Sequence, residues 1–239
     1  MAFSRRMIPT ESSRTATFTS DMAAIGMNFT ADKGHTLSAS EPNIEDTLLF
    51  ASIEGMENCD LRVLAVLVTW FRIHSAWVNA DRLTRLIEMQ TSPRLRAFWS
   101  ALARIHEKDR RFARLAKLYA GPRHDLADSG TDFQIKRHGE DPRFLGSPIR
   151  VATNLLRDRE ADVMVPADLA RRHRSYRWRI IMGPGYRADM WAALEKDGSL
   201  SAAALAKMTY GSFATAWRVR RDFDLVDVTQ ARPVRSTRK

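Results

Sequence analysis

Apolar positions recur at three- and four-residue steps along most of this chain, so the pattern predicts helices rather than strands. Pro42 and Asn43 precede a first helix over Ile44 to Met56. Asn58 or Asp60 then caps the most apolar run, LRVLAVLVTWFRIHSAWV, which ends near Val78. Arg62, Arg72 and His74 interrupt that run, which predicts a buried helix and not a membrane span. Asn79 opens ADRLTRLIEM, with Leu83, Leu86 and Ile87 on its inner side. Ser92 and Pro93 open a longer stretch in which Leu95, Phe98, Trp99, Leu102, Ile105, Phe112, Leu115 and Leu118 keep the helical repeat. A break is expected near Lys108 and Asp109, and Gly121-Pro122 ends the segment.

The periodicity fails in two places. Residues 1–42 are rich in Ser, Thr and Ala and show no sustained period, so they read as a disordered extension. Residues 122–175 are rich in turns, with short strands expected at Phe133–Lys136 and Ile149–Val151. Asp162–Pro166 reads as an extended lead-in to a helix beginning at Ala167-Asp168.

Past residue 176 the helical pattern returns in compact form. The helix YRADMWAALEKDG offers Met190, Trp191, Ala193 and Leu194 to a core, with Gly198 where a C′ glycine is expected. Ser201 caps a short helix, AAALAKM, whose small residues permit a close crossing. Thr209-Tyr210-Gly211 makes the turn, with the positive φ expected at Gly211. Ser212 caps a second helix, FATAWRVRRDF. Phe213, Trp217 and Phe223 are expected to face inward, Trp217 against Leu205 and Trp191. Thr215 and Arg218 would then face outward to read base edges, with Arg220 and Arg221 placed for phosphates. Leu225–Val228 is short and β-prone, as a wing strand would be.

An arginine-rich lead-in, then GPGYRAD, an apolar helix, and SAAALA with TYGS together resemble the winged helix-turn-helix of bacterial transcriptional regulators. The stretch is similar to antitoxin-type regulators encoded beside nucleotidyltransferase toxins. The matching residues are Arg179, Gly183, Gly185, Arg187, Ala188, Leu205, Ala206, Tyr210 and Ser212, all in the last quarter of the chain. One departure is plain: Arg220-Arg221-Asp222 replaces the usual apolar pair late in the recognition helix. The resemblance implies double-stranded DNA as the ligand, a toxin as a protein partner, and a homodimer.

The chain carries 38 Lys+Arg against 28 Asp+Glu, a formal net charge of +10. Residues 183–239 hold 10 of the basic residues and 6 of the acidic ones, and the tail from Thr229 holds four basic residues and no acid. Such an excess favours polyanions through counterion release, and equally an acidic protein. Arg174, Arg177 and Arg179 are interleaved with Tyr176 and Trp178, which suits phosphate contact and stacking. The bland alternative is a solvated helix face in which Tyr176 and Ile180 are core residues.

Other chemistry is thin. The single cysteine, Cys59, excludes an internal disulfide and reads as a buried helix-start residue in a reducing cytoplasm. The first residues lack the apolar stretch of a secretory signal. No P-loop is present, and the histidines share no ligand spacing, so neither a metal nor a cofactor is expected. Asp158, Glu160 and Asp162 alternate and could hold a metal with Lys136, as in nucleases, but read more simply as a solvated loop.

The expectation is therefore a mainly α protein. A disordered segment 1–42 precedes a helical domain 43–121, a connecting region 122–175, a winged helix-turn-helix 176–228 with a short β-wing, and a basic disordered tail 229–239. Residues 60–107 also have the helix order of a degenerate helix-turn-helix; a scaffold or dimerisation role is the alternative. The function expected is a cytoplasmic, non-enzymatic DNA-binding regulator that reads the major groove with residues 212–223. The competing reading is an adaptor or toxin-neutralising protein that acts through its helical domain without DNA.

Overall fold

A computed structural model describes residues 15–28, 41–127 and 129–230, with the side chains of 15–17 and 227–230 left aside. The fold is mainly helical, with one small sheet among the described residues. It divides into two compact units, one ending at His173 and the other beginning at Arg174. No helix among the described residues is long and apolar enough to cross a membrane.

The larger unit begins with α1 (Thr15–Ala24). Met22, Ile25 and Met27 are fully buried, and the Trp70 indole N–H donates to the Ile25 carbonyl at 2.7 Å. Residues 15–28 are thus part of the core, which corrects the expectation of disorder there. Three apolar side chains within six residues are too few to register as a period, yet they suffice once a surface exists to receive them. The rest of the expected disorder, like the tail beyond residue 230, lies outside the described residues.

Asn43 accepts from the Glu45 and Asp46 amides and opens α2 (Ile44–Glu57), and Asp60 likewise opens α3 (Leu61–His74). Between them, Cys59 is exposed with φ +50, not buried as expected, because it sits in the turn ahead of the cap. Asn79 caps α4 (Ala80–Glu88), and Ser92 with Pro93 opens α5 (Pro93–Ile105). The chain breaks at His106, then resumes as a 3₁₀ turn at Arg110–Phe112 and α6 (Ala113–Ala116).

Helices α3 and α5 are the buried centre of this unit. Every residue from Val63 to Phe71 and from Ala97 to Ala103 is shielded from solvent. Phe71 packs edge-on against Trp99 at 5.6 Å and lies 5.2 Å from Phe112, and the Trp99 N–H donates to the Ser52 hydroxyl at 2.9 Å. Along that run α5 presents no solvent face. The basic residues around it act as internal ties. Arg94 donates to the Leu126 carbonyl, Arg96 to the Glu88 carbonyl at 2.9 Å, and Arg111 to Val78 and Ser75 at 3.3 and 3.1 Å.

Beyond α6, β1 (His124–Asp125) pairs in parallel with β2 (Ile149–Arg150). Between the strands, Phe133–Lys136 lies inside α7 (Thr131–His138), not in the strand expected from its alternation. Phe133 is itself exposed, so that alternation never faced a core. Val163 bridges Met27, and α8 (Pro166–Arg172) closes the unit. Arg72 pairs with Asp158 at 3.0 Å and with Glu160 at 2.5 Å, so those carboxylates serve an ion pair. No group of potential metal ligands forms among the described residues.

Candidate nucleic-acid interface

The C-terminal unit consists of α9 (Arg174–Met182), α10 (Tyr186–Lys196), α11 (Ala202–Thr209) and α12 (Phe213–Gln230). Gly183, at φ +88, ends α9 and donates its N–H to the Arg179 carbonyl at 2.9 Å. The core is Met190, Trp191, Leu194, Leu205, Ala216 and Val219, with Trp178, Tyr186, Leu200 and Phe223 packed partly against it. Trp191 lies 5.4 Å from both Trp178 and Phe223, so an aromatic row ties α9, α10 and α12 together.

The turn between α11 and α12 holds the pair at close range. Tyr210, not Gly211, takes the left-handed conformation, at φ +59. Gly211 is needed for a different reason: a Cβ there would stand 2.3 Å from Met190 Cε and 3.3 Å from Tyr186 Cβ. Ser201 caps α11 by accepting from Ala204 N at 3.2 Å, and the Ser212 hydroxyl accepts from Thr215 N at 3.1 Å. The Ser212 and Thr215 hydroxyls also bond each other at 2.8 Å.

Two expectations about α12 are overturned. Its inner stripe is Ala216, Val219 and Phe223, so Phe213 and Trp217 point outward, 60% and 53% exposed. Positions 216, 219 and 223 and positions 213, 217 and 220 are both valid helical stripes. Small Ala216 lets α10 and α11 approach α12, and a tryptophan there would not. The second correction concerns the wing, since Leu225–Val228 continues α12 instead of forming a strand. No Gly or Pro stands between Gly211 and Pro233, and the Arg220–Asp224 pair at 2.7 Å supports the extra turns.

The sequence-predicted contact residues separate into three groups. Arg179 is fully buried against Asp189, which removes it from any outer surface. Arg177 and the Trp178 N–H both bind the Glu195 carboxylate, the latter at 2.7 Å. Burial alone would raise the Glu195 pKa, yet these bonds and the nearby arginine charges hold it below the ordinary value. Arg174 is half-buried. Arg220 donates to the Gly198 carbonyl, and to that of Leu200 at 3.4 Å, bracing the loop before α11. Only Arg218 and Arg221 remain on the outer face of α12, beside half-buried Ser212 and Thr215. The Arg221 guanidinium lies 5.5 Å from the centre of the Trp217 ring and 3.1 Å from Asp222.

The outer face of the first three turns is therefore Phe213, Ala214, Trp217, Arg218 and Arg221. Its aromatic members were missed because large aromatics are assigned to cores by default. The signal available was the competing small-apolar stripe at 216, 219 and 223.

No protein-family model, curated protein or solved structure matches the chain.

Proposed function

We propose that this protein is a DNA-binding transcriptional regulator, not an enzyme, and that α11 and α12 act as a helix-turn-helix with the first half of α12 in the major groove. The carrying observation is the outward row Phe213, Ala214, Trp217, Arg218 and Arg221 on a helix whose opposite side is locked into a small core. A capped helix held on one side and exposed on the other fits a groove about 12 Å wide. Net charge of +10 adds attraction to phosphate that is independent of sequence. No wing is required for this mode. Repression, a toxin partner, a homodimer and a cytoplasmic setting belong to the same reading through the antitoxin-like resemblance.

The test is a mobility shift of the full chain on its own upstream DNA across a salt series. Affinity should fall by at least tenfold as salt rises from about 50 to 200 mM, and Arg218→Ala should weaken the shift while leaving the helical spectrum intact. Absence of any duplex binding at the lowest salt would overturn the proposal.

A second reading has one observation in its favour. Leu225 and Val226 are exposed on the later turns of α12, where a helix face suits protein contact more than DNA. Under that reading the protein is an adaptor or toxin-neutralising factor. A partner that binds equally well to the chain when DNA-binding variants are used would support it.

A further inference from the structure

We infer that α12 reads its DNA site chiefly by apolar contact with pyrimidine 5-methyl groups, so that it prefers thymine-rich major grooves. This rests on the DNA-binding reading above and specifies what that face recognises.

The argument is one of elimination among the groups that can reach base edges. Direct readout of adenine uses Asn or Gln, and readout of guanine uses Arg or Lys. No Asn or Gln stands between Gly185 and Asp227. The Ser212 and Thr215 hydroxyls are bonded to each other, and the Ser212 oxygen also accepts from the Thr215 amide. Arg220 faces the Gly198 and Leu200 carbonyls and Asp224. Arg221 is stacked on Trp217 and paired with Asp222. Arg218 is then the one exposed cation of the row left for a hydrogen-bonded guanine contact, with the Trp217 indole N–H the single other donor. The largest outward surfaces are Phe213, one turn before Trp217, with Ala214 beside them. Apart from the Trp217 indole N–H, these rings gain little from the polar edges of a base pair. They do gain from the C5-methyl of thymine, which protrudes into the major groove.

Charge favours DNA over an apolar protein surface as the occupant of this patch. Arg218 and Arg221 flank the aromatic pair, and Lys207 is exposed on α11. A purely apolar partner would leave the Arg218 and Lys207 charges facing it uncompensated, whereas the phosphates beside a groove neutralise them.

The experiment measures binding of the full chain to three pairs of short duplexes at fixed low salt. The first pair is alternating d(A-T) and d(A-U), which differ only by the thymine methyl. The second is alternating d(G-C) and its 5-methylcytosine form, which restores a methyl at the same groove position. The third is mixed-sequence DNA with and without uracil in place of thymine. Wild type should prefer the methylated member of each pair by roughly threefold to tenfold, since one buried methylene-sized group is worth about fourfold. Phe213→Ala and Trp217→Ala should each bring the ratio toward one, while Arg218→Ala should lower affinity for both members and leave the ratio in place. If every duplex binds equally well irrespective of methylation, this inference fails and the DNA-binding proposal stands. If no duplex binds at low salt, the DNA-binding proposal itself fails. If Phe213→Ala and Trp217→Ala both keep the wild-type preference for the methylated duplexes, the preference belongs to duplex shape and the methyl contact is overturned.

Discussion

The Arg179 guanidinium grips the Asp189 carboxylate in bidentate fashion inside the C-terminal unit, Nε to Oδ1 at 2.8 Å and Nη2 to Oδ2 at 2.9 Å. Both side chains are almost wholly removed from solvent. The two parallel bonds join α9 to α10 and fix their relative rotation. Arg179→Ala would leave an uncompensated buried carboxylate, and breaking such a pair costs about 3–5 kcal/mol. Denaturant unfolding of the full chain should show that loss, and the double change Arg179→Met with Asp189→Leu should recover most of it. An Arg179→Ala protein with an unchanged midpoint and weakened DNA binding would return this arginine to the phosphates.

Outward placement of Trp217 separates folding from function. Trp217→Ala should change stability by no more than about 0.5 kcal/mol, as for an ordinary surface substitution, while DNA binding falls. Leu205→Ala, at a fully buried position, should cost about 2–5 kcal/mol. Circular dichroism and thermal melts of the two variants check this contrast. A Trp217→Ala chain that melts like Leu205→Ala would place the indole in the core.

Gly211 has a steric task in the turn. A methyl there meets Met190 Cε and Tyr186 Cβ, and although the methionine tip can swing, it is fully buried and has little room. Gly211→Ala should destabilise the unit by about 1–3 kcal/mol through overpacking. Pairing it with Met190→Ala should relieve part of the cost, and a double-mutant cycle measures the coupling.

Two buried titrations oppose each other in the larger unit. Burial lowers the His74 pKa from 6.5 to about 4, although its Nε2–H donates to the Met164 carbonyl at 2.9 Å. The folded protein therefore holds the neutral ring. That stabilisation is complete above pH 6.5 and drains away as pH falls toward 4, by on the order of 3 kcal/mol. Asp46 runs the other way. Burial raises its pKa to about 6 even though Arg82 attracts its charge, so its contribution is largest below the ordinary carboxylate range and is lost as pH rises through 6. His74→Gln keeps a donor for Met164 and removes the acid-side loss. Its stability should fall less than that of wild type between pH 7 and pH 4.5, measured by urea midpoints. An equal fall in both proteins would remove His74 as the source.

Much of the larger unit is legible in the sequence. Asn43, Asp60, Asn79 and Ser92 each cap the helix that the hydrophobic repeat proposes, because a side-chain oxygen bonded to an amide two or three residues on is a local event. Ser201 and Ser212 announce α11 and α12 for the same reason. What failed required knowledge of distant partners. Phe133 alternates as a strand would but lies in α7 and is exposed, so no core face selects that alternation.

The sequence by itself determined where most helices start, the lack of any cysteine-built framework, and a basic surplus suited to a polyanion. Tertiary structure alone decided how that surplus is used and which way α12 faces. Arg82, Arg179 and Arg220 are as basic in sequence as Arg218, yet they are committed to Asp46, Asp189 and the Gly198 carbonyl. Periodicity leaves two stripes of α12 equally valid, Phe213 with Trp217 or Ala216 with Val219. The choice between them rests on how closely α10 and α11 can approach, a matter of side-chain volume across three helices that no single segment of sequence contains.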